Sequence, residues 1–151
     1  MADNPMAVNI DSRLGRSADH VIVPMPWGRL EWRVSAEIGN SATMTVGTCF
    51  IDVGMANGRH FHPNCDEVLT VVRGQIVHSW NGEERVMNVG DVISIPQGVV
   101  HNARNTGDTV AELAICFSSA YRTTCDEPAQ GSLATSANSP NGEDHDGQAD
   151  L

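Results

Sequence analysis

Short stretches in which apolar and polar residues alternate dominate the middle of the chain. In the stretch 30–35, apolar Leu30, Trp32 and Val34 alternate with polar neighbours. Alternation with a period of two is typical of a strand that is buried on one side. Similar runs rich in Val, Ile and Thr occupy 43–52, 68–72, 76–80, 92–95, 99–104 and 110–117. No ten-residue stretch between 27 and 119 has helical periodicity, so the pattern predicts an all-β domain.

Glycine-containing dipeptides separate these runs. Arg73-Gly74 divides two of them, and Asn81-Gly82 follows directly after the second. Asn-Gly is favoured in the two-residue turns of β-hairpins, so the strands are predicted to be antiparallel. Eight or more short strands at this spacing favour a sandwich or a barrel, and a double-sheet jelly roll closes such a set.

The two ends of the chain have a different composition. From Cys125 onward the sequence consists mainly of Gly, Ser, Ala, Pro, Asn and acidic residues without apolar periodicity. Such a segment cannot bury enough apolar surface to offset its ordering entropy, which predicts a disordered acidic tail over 125–151. Residues 1–20 are loosely patterned and are expected to form an arm. One domain is therefore expected over 21–124, which is long enough to bury a core without disulfides.

Charge and composition narrow the classes of function. The chain has a formal net charge of −10, which argues against a nucleic-acid partner because phosphate backbones require clustered cations. All nine basic residues are arginines, so chemistry that needs a lysine Schiff base within this chain is excluded. The sequence shows neither a secretion signal nor an apolar run of bilayer length. We therefore expect a cytoplasmic protein without a membrane partner.

Four cysteines are present, and none forms a Cys-x-x-Cys pair. Without a secretion signal they are predicted to be reduced thiols rather than disulfides or zinc-finger ligands. Cys65 lies between His62 and Glu67, where it is either a thiol of a functional site or a packing residue. The packing role is the more frequent one for such a cysteine.

Three histidines and one glutamate are candidate ligands of a metal ion. His60 and His62 are two residues apart and therefore point to the same face of a strand. Glu67 follows after a turn, and His101 arrives from another hairpin. Three imidazole nitrogens and one carboxylate oxygen suit one divalent transition metal ion per chain, which is Fe, Mn, Ni, Co, Cu or Zn. Glu67 is in addition a candidate catalytic residue.

His78 is the other candidate catalytic residue. If the strand 76–80 buries Ile76 and Trp80, His78 shares their face and points into the barrel. In that position it would act as a general acid or base or orient a substrate. The alternative is an ordinary histidine that is hydrogen-bonded in the core or faces outward.

Two motifs surround the candidate ligands. The first, G-R-H-F-H-P-N-C-D-E-V-L-T-V-V-R-G, occupies 58–74, and the second, G-D-V-I-S-I-P-Q-G-V-V-H-N-A-R-N, occupies 90–105. In their spacing of His-x-His, Glu and Gly, and then of Gly, Pro-x-Gly, His and Asn, they resemble the two motifs of the cupin superfamily. Only the leading Gly58 lies closer to His60 than in the common pattern. Each motif occurs once, as in a small single-domain cupin of type 2.

The resemblance implies a double-stranded β-helix, or jelly-roll barrel, with His60, His62, Glu67 and His101 as metal ligands. It also implies a metal-dependent enzyme that acts on a small molecule. A dioxygenase acting on an oxygen-rich substrate that chelates the metal is the preferred interpretation. The alternatives are an isomerase, epimerase or lyase acting on a sugar or keto acid, and a non-catalytic ligand-binding or sensor protein. Because cupins are often dimers, a homodimer is expected, with the apolar segment 21–27 as a candidate swapped edge.

Overall fold

The computed structural model describes residues 9–128, which are built almost entirely from β-strands. Residues 1–8 of the predicted arm and 129–151 of the predicted tail lie outside the described residues. One turn of 3-10 helix, Ser17–Asp19, precedes the first strand. The strands are β1 (Val21–Met25), β2 (Gly28–Val34), β3 (Thr45–Ile51), β4 (His60–Phe61), β5 (Glu67–Arg73), β6 (Ile76–Trp80), β7 (Glu83–Met87), β8 (Val92–Ile95), β9 (His101–Asn105), β10 (Ala111–Phe117) and β11 (Cys125–Asp126).

Two antiparallel sheets make up the domain. The six-stranded sheet has the order β1-β2-β3-β10-β5-β8, and the five-stranded sheet has the order β11-β4-β9-β6-β7. Strands adjacent in sequence lie in different sheets at several points, as in a jelly roll. The all-β jelly-roll prediction is therefore confirmed. Between residues 9 and 128, no helix is long and apolar enough to cross a bilayer, and the cytoplasmic location stays a prediction.

The inner faces of the two sheets share one apolar core. In β10, alternate residues from Ala111 to Phe117 are buried, as the sequence pattern predicts. They pack with Cys49, Ile51, Leu69, Val71, Ile76 and Met87 from both sheets. Each large aliphatic side chain buried in this way stabilises the fold by about 1.5–3 kcal/mol, which holds the sheets face to face.

The predicted hairpin turns are formed by residues with positive φ angles. Asn81 has a φ of 46° and Gly82 a φ of 87°, which is the two-residue turn that joins β6 to β7. Gly74 has a φ of 83°, and a Cβ atom at this position would lie 3.2 Å from the Cα atom of Ala111. Glycine at position 74 therefore allows both the turn and the close approach of the backbone at Ala111.

Regular pairing continues slightly beyond the predicted domain boundary. Strand β11 begins at Cys125, where the tail was expected to begin, and pairs with β4 through Cys125↔Phe61 and Asp126↔His60. Glu127 forms an ion pair with Arg59, the residue before β4. The pairing of β11 with β4 brings the segment 122–126 next to His60.

Candidate metal centre

The four candidate ligands meet between the two sheets. His60 on β4 pairs with His101 on β9 in the five-stranded sheet, and His62 directly follows β4. Glu67 is the first residue of β5 in the six-stranded sheet. Their ligand atoms all lie within 4.8 Å of one another. Residues from two motifs and two sheets thus form one cluster that can hold a metal ion.

Main-chain oxygens fix the orientation of the three imidazole rings. Each Nδ1 atom lies 2.7–2.9 Å from a carbonyl oxygen, that of Gly58 for His60, Thr123 for His62 and Val99 for His101. A carbonyl oxygen only accepts hydrogen bonds, so each Nδ1 carries a hydrogen. In a neutral ring the lone pair is then on Nε2, which becomes the metal-binding atom.

The distances around Glu67 fit a bound cation. Its Oε2 atom lies 3.0 Å from Nε2 of His62 and 2.9 Å from Nε2 of His101. If the lone pairs are on Nε2, both these nitrogens and the carboxylate oxygen are hydrogen-bond acceptors. Acceptors at this distance repel each other unless a proton or a metal ion lies among them. Ligand atoms about 2.1 Å from an ion and at right angles to each other are about 3.0 Å apart. The residues therefore fit a divalent transition metal.

The environment of the cluster sets the charge of each ligand. Burial by itself raises the pKa of Glu67, but hydrogen bonds with His101 and His62 outweigh it and lower this pKa to about 2. Burial and the nearby His101 lower the pKa of His60 to about 4. Burial opposes the charged form of His101, yet its hydrogen bond with Glu67 raises the pKa. At neutral pH the carboxylate of Glu67 is ionised and the ring of His60 is neutral, which are the forms that a metal ion would require.

A cavity of about 490 Å³ opens onto the cluster, and His60, His62 and Glu67 are part of its lining. This volume is within the range of small-molecule sites. Asn57, Thr124, Arg122 and Asp126 contribute polar groups. The apolar part of the wall consists of Met25, Pro26, Trp27, Leu30, Trp32, Ile115 and Phe117. The cavity therefore combines a candidate metal-binding cluster with a largely hydrophobic wall.

His78 points into the barrel, as the register of its strand predicts, but it lies outside this cavity. It is only 2% exposed, and its ring stacks on His101 with 5.8 Å between the centroids. It lines a separate cavity of about 200 Å³ with Trp80, Glu83, Arg85 and Ile93. Neither ring nitrogen has a hydrogen-bond partner among the described residues. Burial, followed by the effect of His101, lowers the pKa of His78 to about 4.

Two other motif residues have structural positions. The Nδ2 atom of Asn105 donates to the carbonyl oxygens of Ile51 and Thr109, and its Oδ1 atom accepts from the main chain of Gly107. Asn105 therefore holds the turn after β9. Cys65 is buried in the core cluster, and burial raises the pKa of its thiol, which is consistent with a packing role.

Sequence reasoning missed most of the cavity wall, including two tryptophans and an arginine. Trp27, Trp32 and Arg122 line the cavity, although no motif includes them. Arg122 lies after β10 and reaches the cavity because β11 pairs with β4. A strand of two residues has no recognisable periodicity, so the sequence contained no signal for this placement.

Residues 39–117, which include all four candidate ligands, match the family model described as "Cupin domain". The chain belongs to the cupin family. The matched residues run from the turn before β3 to the end of β10 and include both motifs. The resemblance drawn from the motifs is thereby confirmed.

Curated relatives match this cupin over part of their length. Auxin-binding protein ABP19b from Prunus persica is 38% identical over 65 residues, which are 40% of this chain and 31% of the relative. Oxalate oxidase GF-2.8 from Triticum aestivum is 30% identical over 74 residues, or 44% of this chain and 33% of the relative. An uncharacterised protein from Aquifex aeolicus is 39% identical over 62 residues, which are 41% of this chain and 50% of the relative. The chain therefore spans about a third to a half of these relatives.

Solved structures share the fold of this cupin. Peruvianin-I, described as a cysteine peptidase from Thevetia peruviana latex, superposes with a TM-score of 0.71 and 18% identity over 82% of both chains. A structure concerned with the Mn(II) centres of Bacillus subtilis oxalate decarboxylase has a TM-score of 0.63 and 20% identity, covering 70% of this chain and 29% of that one. At these identities the similarity shows the fold alone.

Proposed function

We propose that this cupin is a metal-dependent enzyme that oxidises a small oxygen-rich molecule with dioxygen. His60, His62, Glu67 and His101 hold one divalent ion per chain, chosen among Fe, Mn, Ni, Co, Cu and Zn. The observation that carries the proposal is the approach of Glu67 Oε2 to two Nε2 atoms at 2.9 and 3.0 Å, which is the spacing that adjacent ligands of one ion would have.

The chain's own residues prepare the site for a chelating substrate. The four residues supply four donor atoms, which leaves two positions of a six-coordinate ion for substrate oxygens or water. The apolar wall keeps the effective dielectric low, so that charges in the cavity act strongly on a bound molecule. When bound, the ion supplies Lewis-acid polarisation and, if redox-active, dioxygen chemistry.

The names of similar proteins support a small oxygen-rich substrate. An oxalate oxidase is among the curated relatives, and an oxalate decarboxylase with Mn(II) centres shares the fold. Oxalate is a small acid that chelates metals through its oxygens. The partner proposed for this chain is accordingly a small molecule rather than a macromolecule.

His78 is proposed as the general acid or base of the reaction. Both of its buried ring nitrogens lack a partner among the described residues, and its ring stacks on the proposed ligand His101 at 5.8 Å between centroids. A buried histidine with a pKa shifted by its surroundings is a frequent feature of active sites. Glu67 has the role of a ligand to the ion.

Oxygen dependence tests the class of reaction. The metal-loaded protein is screened against chelating 2-oxo acids, 2-hydroxy acids and sugars in an oxygen electrode. We expect dioxygen consumption in proportion to substrate loss, and no turnover in an anaerobic cuvette. Turnover that continues unchanged without dioxygen would instead indicate an isomerase, epimerase or lyase. Ligand binding without any turnover would indicate a sensor protein.

A homodimer is part of the same proposal. Strand β1 is an edge of the six-stranded sheet, and its Val21 and Ile22 are 47% and 58% exposed. An exposed apolar edge favours pairing with a second copy. Sedimentation velocity should show a dimer that Ile22→Glu dissociates, whereas Val86→Glu on exposed β7 should leave it intact. A monomeric wild-type protein would contradict this assembly.

A further inference from the structure

Arg122 is held in the wall of the cavity that contains the proposed ligands. Its Cζ atom lies 4.4 Å from the ring centroid of Trp32 and 5.0 Å from that of Phe117. Aromatic faces stabilise a guanidinium group by cation–π attraction and stacking. The Nη1 atom also donates a hydrogen bond to Oγ1 of Thr124. The guanidinium group is therefore oriented before any ligand binds.

No carboxylate among residues 9–128 forms an ion pair with Arg122, and the charge of Glu67 acts on it only from a longer distance. Ion pairs with glutamates are formed instead by Arg29, Arg33, Arg59, Arg85 and Arg104. Glu67 is engaged with His62 and His101, and the exposed Asp126 lines the same cavity without coming within salt-bridge distance. A half-buried cation without a direct ion-pair partner is costly, and an anionic ligand in contact with it would relieve that cost.

The unused donors of Arg122 suit a carboxylate. Within the described residues, Nε and Nη2 have no acceptor, and only Nη1 makes a hydrogen bond. A guanidinium group stacked through its face still presents these donors along its edge. Two parallel N–H···O bonds from such an edge match the two oxygens of a carboxylate. Burial lowers the pKa of Arg122, but an arginine remains charged at physiological pH.

The rest of the wall indicates what the carboxylate is attached to. Trp27, Leu30, Trp32 and Ile115 present apolar surface in a cavity of about 490 Å³. Oxalate has no apolar part and would leave this surface in contact with water. An acid with an aromatic or branched aliphatic group would cover it.

We infer that Arg122 binds the carboxylate of the substrate and that the substrate is a carboxylic acid with an apolar side group. This inference rests on the proposed function, because it describes the occupant of the same cavity. A bound divalent ion and Arg122 together carry more positive charge than Glu67 and Asp126 carry negative charge. The cavity therefore favours an anion over a neutral molecule of the same shape.

The test compares phenylacetate with phenylacetamide, which has nearly the same shape without the charge. Trp27 and Trp32 line the cavity, so binding is followed through tryptophan fluorescence of the zinc-loaded protein, in which no oxidation occurs. We expect phenylacetate to bind about tenfold or more tightly than phenylacetamide. Arg122→Gln should reduce this preference to about threefold or less, because the metal is unchanged and only the guanidinium group is lost.

The matched control is Arg73→Gln, which removes the same charge from an exposed position on β5. Arg73→Gln should retain the full preference for phenylacetate. Arg122→Lys keeps the charge but cannot form bidentate hydrogen bonds, so it should retain part of the preference. The inference is overturned if wild-type protein does not prefer phenylacetate, or if Arg122→Gln keeps the preference. The comparison of the two probes on wild-type protein applies even if Arg122→Gln does not fold.

Zinc content measured on the same samples separates this inference from the proposed function. A protein that binds no zinc contradicts the metal-dependent function, and its preference between the two probes still tests Arg122. A protein that binds zinc but shows no preference contradicts the role of Arg122 alone.

Discussion

Glu67→Ala should weaken the binding of a divalent transition metal by at least about a hundredfold. Glu67 is the only carboxylate in the cluster, and its Oε2 atom lies within 3.0 Å of two Nε2 atoms. The loss of groups that only orient metal ligands costs about 10–100-fold in affinity, so the loss of a ligand itself should cost more. Competition with a zinc chelator measures the affinity directly.

Two further variants separate metal binding from folding. Glu67→Gln keeps the size of the side chain and offers N–H donors to His62 and His101, so it should remain folded while it also loses affinity. Glu112→Ala removes a glutamate from a partly buried position on β10 outside the cluster and should bind zinc like the wild type. Zinc affinity that is unchanged in Glu67→Ala would rule out Glu67 as a ligand.

His78→Phe should stabilise the protein and at the same time lower turnover at least about tenfold. Neither ring nitrogen of the buried His78 has a partner among the described residues. A buried polar group without a hydrogen bond costs about 1–3 kcal/mol, and phenylalanine removes that cost in a similar volume. General acid–base catalysis contributes about 10²–10⁴-fold to the rate of a reaction, so its loss should lower kcat measurably. Thermal unfolding and steady-state kinetics measure the two effects.

The stabilisation by His78→Phe should grow as the pH falls from about 6.5 towards 4. The pKa of His78 is lowered to about 4 in the folded protein. In this window the unfolded state binds a proton that the folded state does not, so the wild-type protein loses stability as the pH falls. His20→Phe, outside both cavities, should leave turnover unchanged. A stabilised His78→Phe with full turnover would leave His78 without a role in the reaction.

The candidate ligands could be predicted because motif spacing carries their geometry. His60 on β4 and His62 directly after it are two residues apart, so extended backbone alone places them on one face. Glu67 and His101 follow turns marked by glycine and proline, and the structure brings both to the same point. Alternation likewise predicted the buried face of β10, because one side of that strand packs in the core.

Other parts of the fold depend on long-range pairing that leaves no local pattern. Strand β7 (Glu83–Met87) is exposed at four of its five residues, so it has no apolar alternation and is defined by pairing with β6. Strand β11 consists of two exposed residues and forms only because β4 is beside it. Arg122 reaches the cavity through that pairing, and the separate cavity beside His78 also depends on side chains of neighbouring strands.

The central claim is that His60, His62, Glu67 and His101 together hold one metal ion. Anomalous diffraction from crystals of the metal-loaded protein, recorded on both sides of the absorption edge of the metal, tests this claim most directly. We expect one peak per chain, about 2.0–2.2 Å from Glu67 and from the Nε2 atoms of the three histidines. A peak elsewhere in the chain, or no peak in crystals grown with excess metal, would contradict the claim.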